Sequence, residues 1–204
     1  MQTCLESSET FYKISLSLGD PKAGQYVMFA PLTRDGFEII NRHRNTDRKG
    51  LLFMYLEGEE ALIVKIPPGL VYAIACNDFL RCILDKVAGM GLDRTLADLR
   101  KAPHQGIRSL KEADSVFRPR LVRPSPTDWP TLVIESGIHI SLKCLRADCR
   151  WWLENSMGEV KIVLLLSISE AERKIHLEQW EIPMSSLQVT QANRHFLETL
   201  TKTR

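Results

Sequence analysis

The sequence predicts a mixed α/β fold with a central mixed sheet and flanking helices, and three segments carry this prediction. Residues 160–169, VKIVLLLSIS, are nearly continuously apolar, which is typical of a strand buried on both faces of a sheet. Residues 132–135, LVIE, form a second apolar strand. Between them, residues 140–155 place apolar side chains at helical spacing: Leu142, Leu145, Cys149, Trp152 and Leu153. A strand, a helix and a second apolar strand predict a parallel β-α-β crossover.

The remaining segments extend this core in both directions along the chain. Residues 10–66 predict strands joined by polar turns, with 42–50 as a polar loop. A helical period is present at 71–89. Three shorter elements are predicted after it: a short helix at 92–102, an alternating strand at 113–117 and a final strand at 174–182. We expect one domain over residues 1–204, with a β-rich N-terminal extension at 1–59, a core at about 60–181 and a C-terminal helix at about 186–201.

The composition is that of an ordinary soluble globular protein, with 44% apolar residues, 25% charged residues and a formal net charge of +2. This charge is too small to indicate nucleic acid by itself. Basic clusters at 42–44 and 118–123 either make a basic face or lie in solvated loops. No apolar segment approaches the roughly 18 residues of a membrane span. The five cysteines form no CxxC pair, which predicts a reducing, intracellular setting, cytoplasmic or nuclear, and argues against a zinc finger.

Glu135 is the residue that most needs an explanation, because it ends an apolar strand and a turn, Ser136-Gly137, is predicted to follow it. A buried, ionised carboxylate costs several kcal/mol unless a cation, a metal or good hydrogen bonds compensate it. Asp114 lies in the short strand at 113–117, and neighbouring strands would bring the two carboxylates together. Such a pair suits Mg²⁺ or Mn²⁺. The alternative is a structural carboxylate, capped by backbone amides at the start of the 140–155 helix.

Three segments also resemble a known family. They are KEADSVFRP at 111–119, DWPTLVIESG at 128–137 and SLKCLRADCRWWLENSMGEVKIVLLLSI at 141–168. Together they are similar to the fungal members of the PD-(D/E)XK nuclease-like superfamily, over about residues 60–181. The resemblance implies a restriction-endonuclease-like core, in which a central mixed sheet has the element order α-β-β-β-α-β.

The resemblance also implies the roles of individual residues. Asp114 matches the family's first aspartate and Glu135 its second acidic position, so both are expected to bind metal and to be catalytic. The family's lysine is absent, because Gly137 stands in its place. Lys143 is the expected catalytic substitute, with Arg146 second. Lys161 belongs to an E-x-K pattern, but it begins the following strand and is expected on the order of 13 Å from Glu135.

The expected function is metal-dependent hydrolysis of phosphodiester bonds in nucleic acid, DNA being favoured, with Mg²⁺ or Mn²⁺ as cofactor. The alternative is a catalytically inactive relative that binds nucleic acid or protein. No membrane partner is expected, and a homodimer is compatible with the sequence.

Overall fold

The computed structural model of the protein describes residues 24–47, 50–92, 94–99, 102–125 and 127–182, together with the backbone of Thr201–Thr203. By its internal contacts the chain divides into two compact units. Unit 1 comprises Met1–Pro68 and Pro103–Glu112, and unit 2 comprises Gly69–Ala102 and Ala113–Arg204. The helix predicted at about 186–201 lies outside the described residues, apart from Thr201, which begins a short strand.

The elements are numbered in chain order. The strands are β1 (Tyr26–Phe29), β2 (Leu52–Leu56), β3 (Ala61–Lys65), β4 (Leu96–Asp98), β5 (Pro103–Gln105), β6 (Ser109–Glu112), β7 (Ser115–Pro119), β8 (Leu132–Ile138), β9 (Ile162–Ser169), β10 (Lys174–Glu181) and β11 (Thr201–Thr203). The helices are α1 (Arg34–Asp47), α2 (Leu70–Gly89) and α3 (Leu142–Asn155), and a 3-10 turn at His139–Ser141 precedes α3. None of the helices in the described part of the chain has both the length and the apolarity to span a membrane.

Unit 1 is an antiparallel sheet, in the order β1-β3-β2-β6-β5, packed with the helix α1. The helix contradicts the polar loop predicted at 42–50. Its buried stripe consists of Phe37, Ile40 and Arg44, so a cation takes the third position of the apolar pattern. Arg44 is buried because it forms an ion pair with Glu112, which comes from a distant part of the sequence. A periodicity based on apolar residues therefore misses this helix.

Unit 2 is a six-stranded mixed sheet in the order β11-β10-β9-β8-β7-β4. The pair β8 and β9 is parallel, as the predicted crossover requires, and the other pairs are antiparallel. Helix α2 covers one face, where Leu80 packs with Phe117 and Ile134. Helix α3 buries most of its apolar stripe, in which Leu145 and Trp152 have no exposed surface. The mixed α/β fold with a central mixed sheet is thus confirmed.

Two local predictions in unit 2 are wrong. The strand that contains Glu135 does not end there, because β8 continues in register with β9 as far as the pair Ile138 and Ile168. The Ser136-Gly137 dipeptide favours a turn, but pairing with a long apolar neighbour satisfies its backbone groups better. In the segment predicted as a short helix at 92–102, the described residues Leu96–Asp98 form the strand β4 instead, which pairs with β7.

Candidate functional site

Glu135 lies in the middle of β8 and has no exposed surface. Its Oε1 atom accepts a hydrogen bond of 2.7 Å from the indole nitrogen of Trp152, which is equally buried. Neither oxygen of Glu135 is among the buried polar atoms that lack a partner in the described residues. Aromatic packing holds the Trp152 indole in place. The rings of Trp151 and Trp129 lie edge-on to it, with centroid distances of 5.0 and 6.0 Å, and they are tilted against each other at 6.0 Å.

The side chains of β8 alternate between the two faces of the sheet. Ile134 packs with Leu80 of α2, and the Ser136 hydroxyl lies 2.8 Å from the Tyr72 hydroxyl, also of α2. Glu135, between them, points to the opposite face, where α3 supplies Trp152. A side chain in the third turn of α3, the Trp152 indole, therefore contributes to compensating the buried carboxylate.

Asp114 immediately precedes β7 and is half-buried. The register of β7 and β8 begins with the pair Ser115 and Ile134, which are the chain neighbours of Asp114 and Glu135. The predicted neighbouring strands are therefore present. The carboxylate of Asp114 accepts a 2.8 Å hydrogen bond from the Ser136 amide, and its other oxygen lies 3.2 Å from the Tyr72 hydroxyl. Its partners thus come from the strand backbone and from α2, whereas Glu135 takes its indole partner from α3.

A cavity of about 170 Å³ lies beneath α2, and Asp114 forms part of its wall. The same wall contains Tyr72 and Ser136, which position the Asp114 carboxylate. Leu80 and Ile134 contribute apolar surface. Glu135 is not among the lining residues, which agrees with its position on the other face of β8.

The three residues considered for the lysine role occupy different places. Lys143 lies exposed in the first turn of α3. Arg146, one turn later, forms a two-nitrogen ion pair with Glu178 of β10, at 2.6 Å for the shortest contact. This hydrogen bond raises the pKa of Arg146 above its usual value. Lys161 donates a 2.5 Å hydrogen bond to the Gly158 carbonyl, just before β9, whose first residue pairs with the first residue of β8. It therefore lies at the end of β8 away from the predicted site, as expected.

The sequence did not single out Glu178, another buried carboxylate, which contacts α3 through Arg146. Its side chain is 1% exposed. Its carboxylate accepts hydrogen bonds from the Arg146 guanidinium, from the Trp180 indole nitrogen at 3.0 Å and from the His176 ring nitrogen at 2.7 Å. The signal was the polar alternation in KIHLEQWEI, where His176, Glu178 and Trp180 fall on one face of a strand. This cluster joins α3 to β10.

The fit of a divalent cation can be judged from the two carboxylates. Mg²⁺ keeps several of its waters when one or two carboxylates bind it, so it requires open space beside them. Glu135 provides no such space, because it is fully buried and hydrogen-bonded to Trp152. Within the residues that the structure describes, no three His, Cys, Asp or Glu side chains are grouped to hold a metal. In this conformation Asp114 and Glu135 do not fit a shared ion.

Comparison with known proteins gives little further information. No family model matches the chain. No curated protein matches it either. Among solved structures, the chain is similar to a candidate nuclease belonging to DUF820 from Anabaena variabilis, with a TM-score of 0.42 and 12% identity, over 61% of this chain and 75% of that chain.

Proposed function

We propose that the chain binds nucleic acid through unit 2 without cutting it, as a catalytically inactive relative of the PD-(D/E)XK nucleases that its motifs resemble. The observation that carries this proposal is the environment of Glu135. Its carboxylate is fully buried and accepts a hydrogen bond from Trp152, so it serves the fold rather than an open catalytic site. The position of the family's lysine is occupied by Gly137, which has no side chain to orient a nucleophile.

The outer face of α3 supports nucleic acid as the partner. Lys143 and Arg150 are exposed, and they lie two turns apart on the same side of the helix. Arg146 lies between them at the border of this side, with its side chain 38% exposed. We call these three residues the basic face of α3. A row of cations suits the phosphate backbone, which dominates the affinity of most nucleic-acid complexes. Glu154, one turn beyond Arg150, marks where the basic face ends.

Fluorescence anisotropy with labelled duplex DNA, single-stranded DNA and single-stranded RNA tests this proposal. The titrations are run over a series of salt concentrations in EDTA, so that metal-dependent binding and cutting are suppressed. We expect affinity to fall steeply with salt, because each phosphate contact releases counterions. The double variant Lys143→Glu/Arg150→Glu should weaken binding to every sequence and reduce the salt slope by about 2, roughly 1 for each lost contact.

The matched control is Lys86→Glu, which reverses an exposed lysine on α2 of the same unit. It should leave both the affinity and the salt slope close to the wild-type values. An equal loss in this control would show that only the net charge matters. No binding to any of the three nucleic acids at low salt would refute the proposal.

Metal-dependent phosphodiester hydrolysis is the second candidate, and one observation favours it. Asp114 immediately precedes β7 and Glu135 belongs to β8, the strand that pairs with β7, so the two acids lie on neighbouring segments, as the resemblance implies for a metal pair. In that case millimolar Mn²⁺ would raise the melting temperature of the wild type by mass action, and the increase would disappear in Glu135→Gln. Lys143→Ala would abolish cutting but preserve this increase. Equal shifts in wild type and Glu135→Gln would exclude the pair as a metal site.

A further inference from the structure

The cavity beneath α2 is not used by the proposed contact between nucleic acid and α3. We propose that it binds a small organic cation: a primary ammonium group on an apolar body of about five or six non-hydrogen atoms. The combination that supports this ligand is one fixed carboxylate, Asp114, in a wall that is otherwise made of apolar and neutral side chains. The inference does not depend on nucleic-acid binding, because it concerns the other face of the sheet.

The volume of the cavity limits the size of the ligand. It measures about 170 Å³. A cavity of about 150 Å³ with apolar walls is large enough to hold benzene, which has six non-hydrogen atoms. Leu80, Ile134 and Leu166 form apolar wall surface in this cavity. An unbranched chain of five carbons therefore fits against them and loses part of its contact with water, which is favourable in proportion to the apolar area buried.

The charge of the wall determines the polar end of the ligand. Among the lining residues that the structure describes, Asp114 carries the only charge. Its carboxylate is held by the Ser136 amide at 2.8 Å and by the Tyr72 hydroxyl at 3.2 Å. A carboxylate fixed in this way is preorganised for a cation, which costs the complex less entropy. An ammonium group has three N–H donors, and the oxygens of Asp114 and of the Ser136 hydroxyl can accept them.

An ammonium group suits this wall better than a hydrated divalent ion does. The water shell of Mg²⁺ needs oxygen partners around it, and Leu80, Ile134 and Leu166 offer none. An alkylammonium places its charged end at Asp114 and its chain against these apolar side chains. The same reasoning excludes a carboxylate ligand of equal size, because Asp114 would repel it.

Calorimetric titration in EDTA with pentylammonium, 1-pentanol and pentanoate tests the proposal, since the three ligands share a chain and differ in charge. We expect pentylammonium to bind at least roughly tenfold more tightly than 1-pentanol, as a charge-assisted hydrogen bond implies. Pentanoate should not bind. In Asp114→Asn, whose amide oxygen can still accept from Ser136, the two affinities should become equal. Ala73→Met, which adds a side chain to the cavity wall, should weaken both.

Cys76 provides a second and more sensitive measurement, because its half-buried thiol lines the same cavity. In a variant with Cys4, Cys82 and Cys144 changed to Ser, pentylammonium should slow labelling of Cys76 by a thiol reagent, and 1-pentanol should do so only at higher concentration. Asp114→Asn should remove this difference. Equal protection by the three ligands, no protection by any, or an unchanged effect of pentylammonium in Asp114→Asn would overturn the proposal.

Discussion

The indole nitrogen of Trp152 donates a hydrogen bond of 2.7 Å to Glu135, and neither side chain is exposed. This pair connects α3 to the middle of β8, so it fixes the helix on one face of the central sheet. It also explains how an acidic residue can occupy the interior of the parallel pair β8 and β9. A buried carboxylate is tolerated when donors satisfy it and is costly when they are removed.

Trp152→Phe should therefore destabilise unit 2 by roughly 3 kcal/mol, because it removes the donor while Glu135 stays buried. The measurement is the urea midpoint of unfolding. Glu135→Met removes the carboxylate and keeps a similar volume, so Trp152→Phe should cost much less in that background. We expect a coupling energy of about 1–3 kcal/mol in the double-mutant cycle. Additive effects of the two substitutions would mean that the hydrogen bond contributes nothing.

In unit 1, Arg44 and Arg34 make a matched comparison on α1. Arg44 pairs with Glu112 and its side chain is 8% exposed, whereas Arg34 pairs with Glu57 at 2.7 Å and is 44% exposed. Arg44→Met should cost about 3–5 kcal/mol, since it leaves a buried carboxylate without its cation. Arg34→Met should cost no more than about 1 kcal/mol, because water screens an exposed pair. Similar urea midpoints for the two variants would contradict the burial of the Arg44 pair.

The pH dependence of stability should reveal Glu154, near the end of α3. Burial raises the pKa of this carboxyl group, and Arg150 opposes the shift only in part. Because the folded-state pKa lies above the unfolded value, protonation stabilises the fold. The gain appears as pH falls through the raised folded-state pKa and is complete below the unfolded value of about 4.3.

Glu154→Gln should accordingly raise the melting temperature by roughly 2 °C at neutral pH. The increase should vanish below about pH 4, where the wild-type residue is also neutral. Differential scanning calorimetry from about pH 3.5 to about pH 8 measures both ends of this dependence. As a control, Glu170→Gln changes an exposed acid in the turn after β9 and should show no such increase at neutral pH. A gain of the same size at every pH would count against burial as the cause.

Much of unit 2 could be predicted from the sequence, because its signals are local. The apolar strand at 160–169, the stripe of the 140–155 helix and the crossover between strands follow from periodicity alone. Helix α1 could not be predicted in this way, since Arg44 enters the core only through Glu112, which is distant in sequence. The end of β8 was missed for a related reason, as pairing with β9 overrides the turn preference of Ser136-Gly137.

In the candidate site too, the features with a local sequence signal could be predicted, and those that depend on distant contacts could not. The sequence predicted neighbouring strands for Asp114 and Glu135, and the structure places Asp114 immediately before β7, which pairs with the strand of Glu135. It could not show that Tyr72 would position Asp114 from one helix while Trp152 binds Glu135 from the other. Those partners depend on which face of β8 each helix covers, and a tertiary contact of this kind leaves no local pattern. The roles of Asp114, Glu135 and Lys143 in metal binding and catalysis stay predictions.

The central claim is that this chain binds nucleic acid without cutting it, and a single-turnover cleavage measurement tests it most directly. Labelled DNA and RNA are incubated with excess protein and millimolar Mn²⁺, and each sample is divided between a native and a denaturing gel. We predict a shifted band on the native gel and intact substrate on the denaturing gel. Fragments that require Mn²⁺ and disappear in both Asp114→Asn and Glu135→Gln would contradict the claim and make the two carboxylates a catalytic pair.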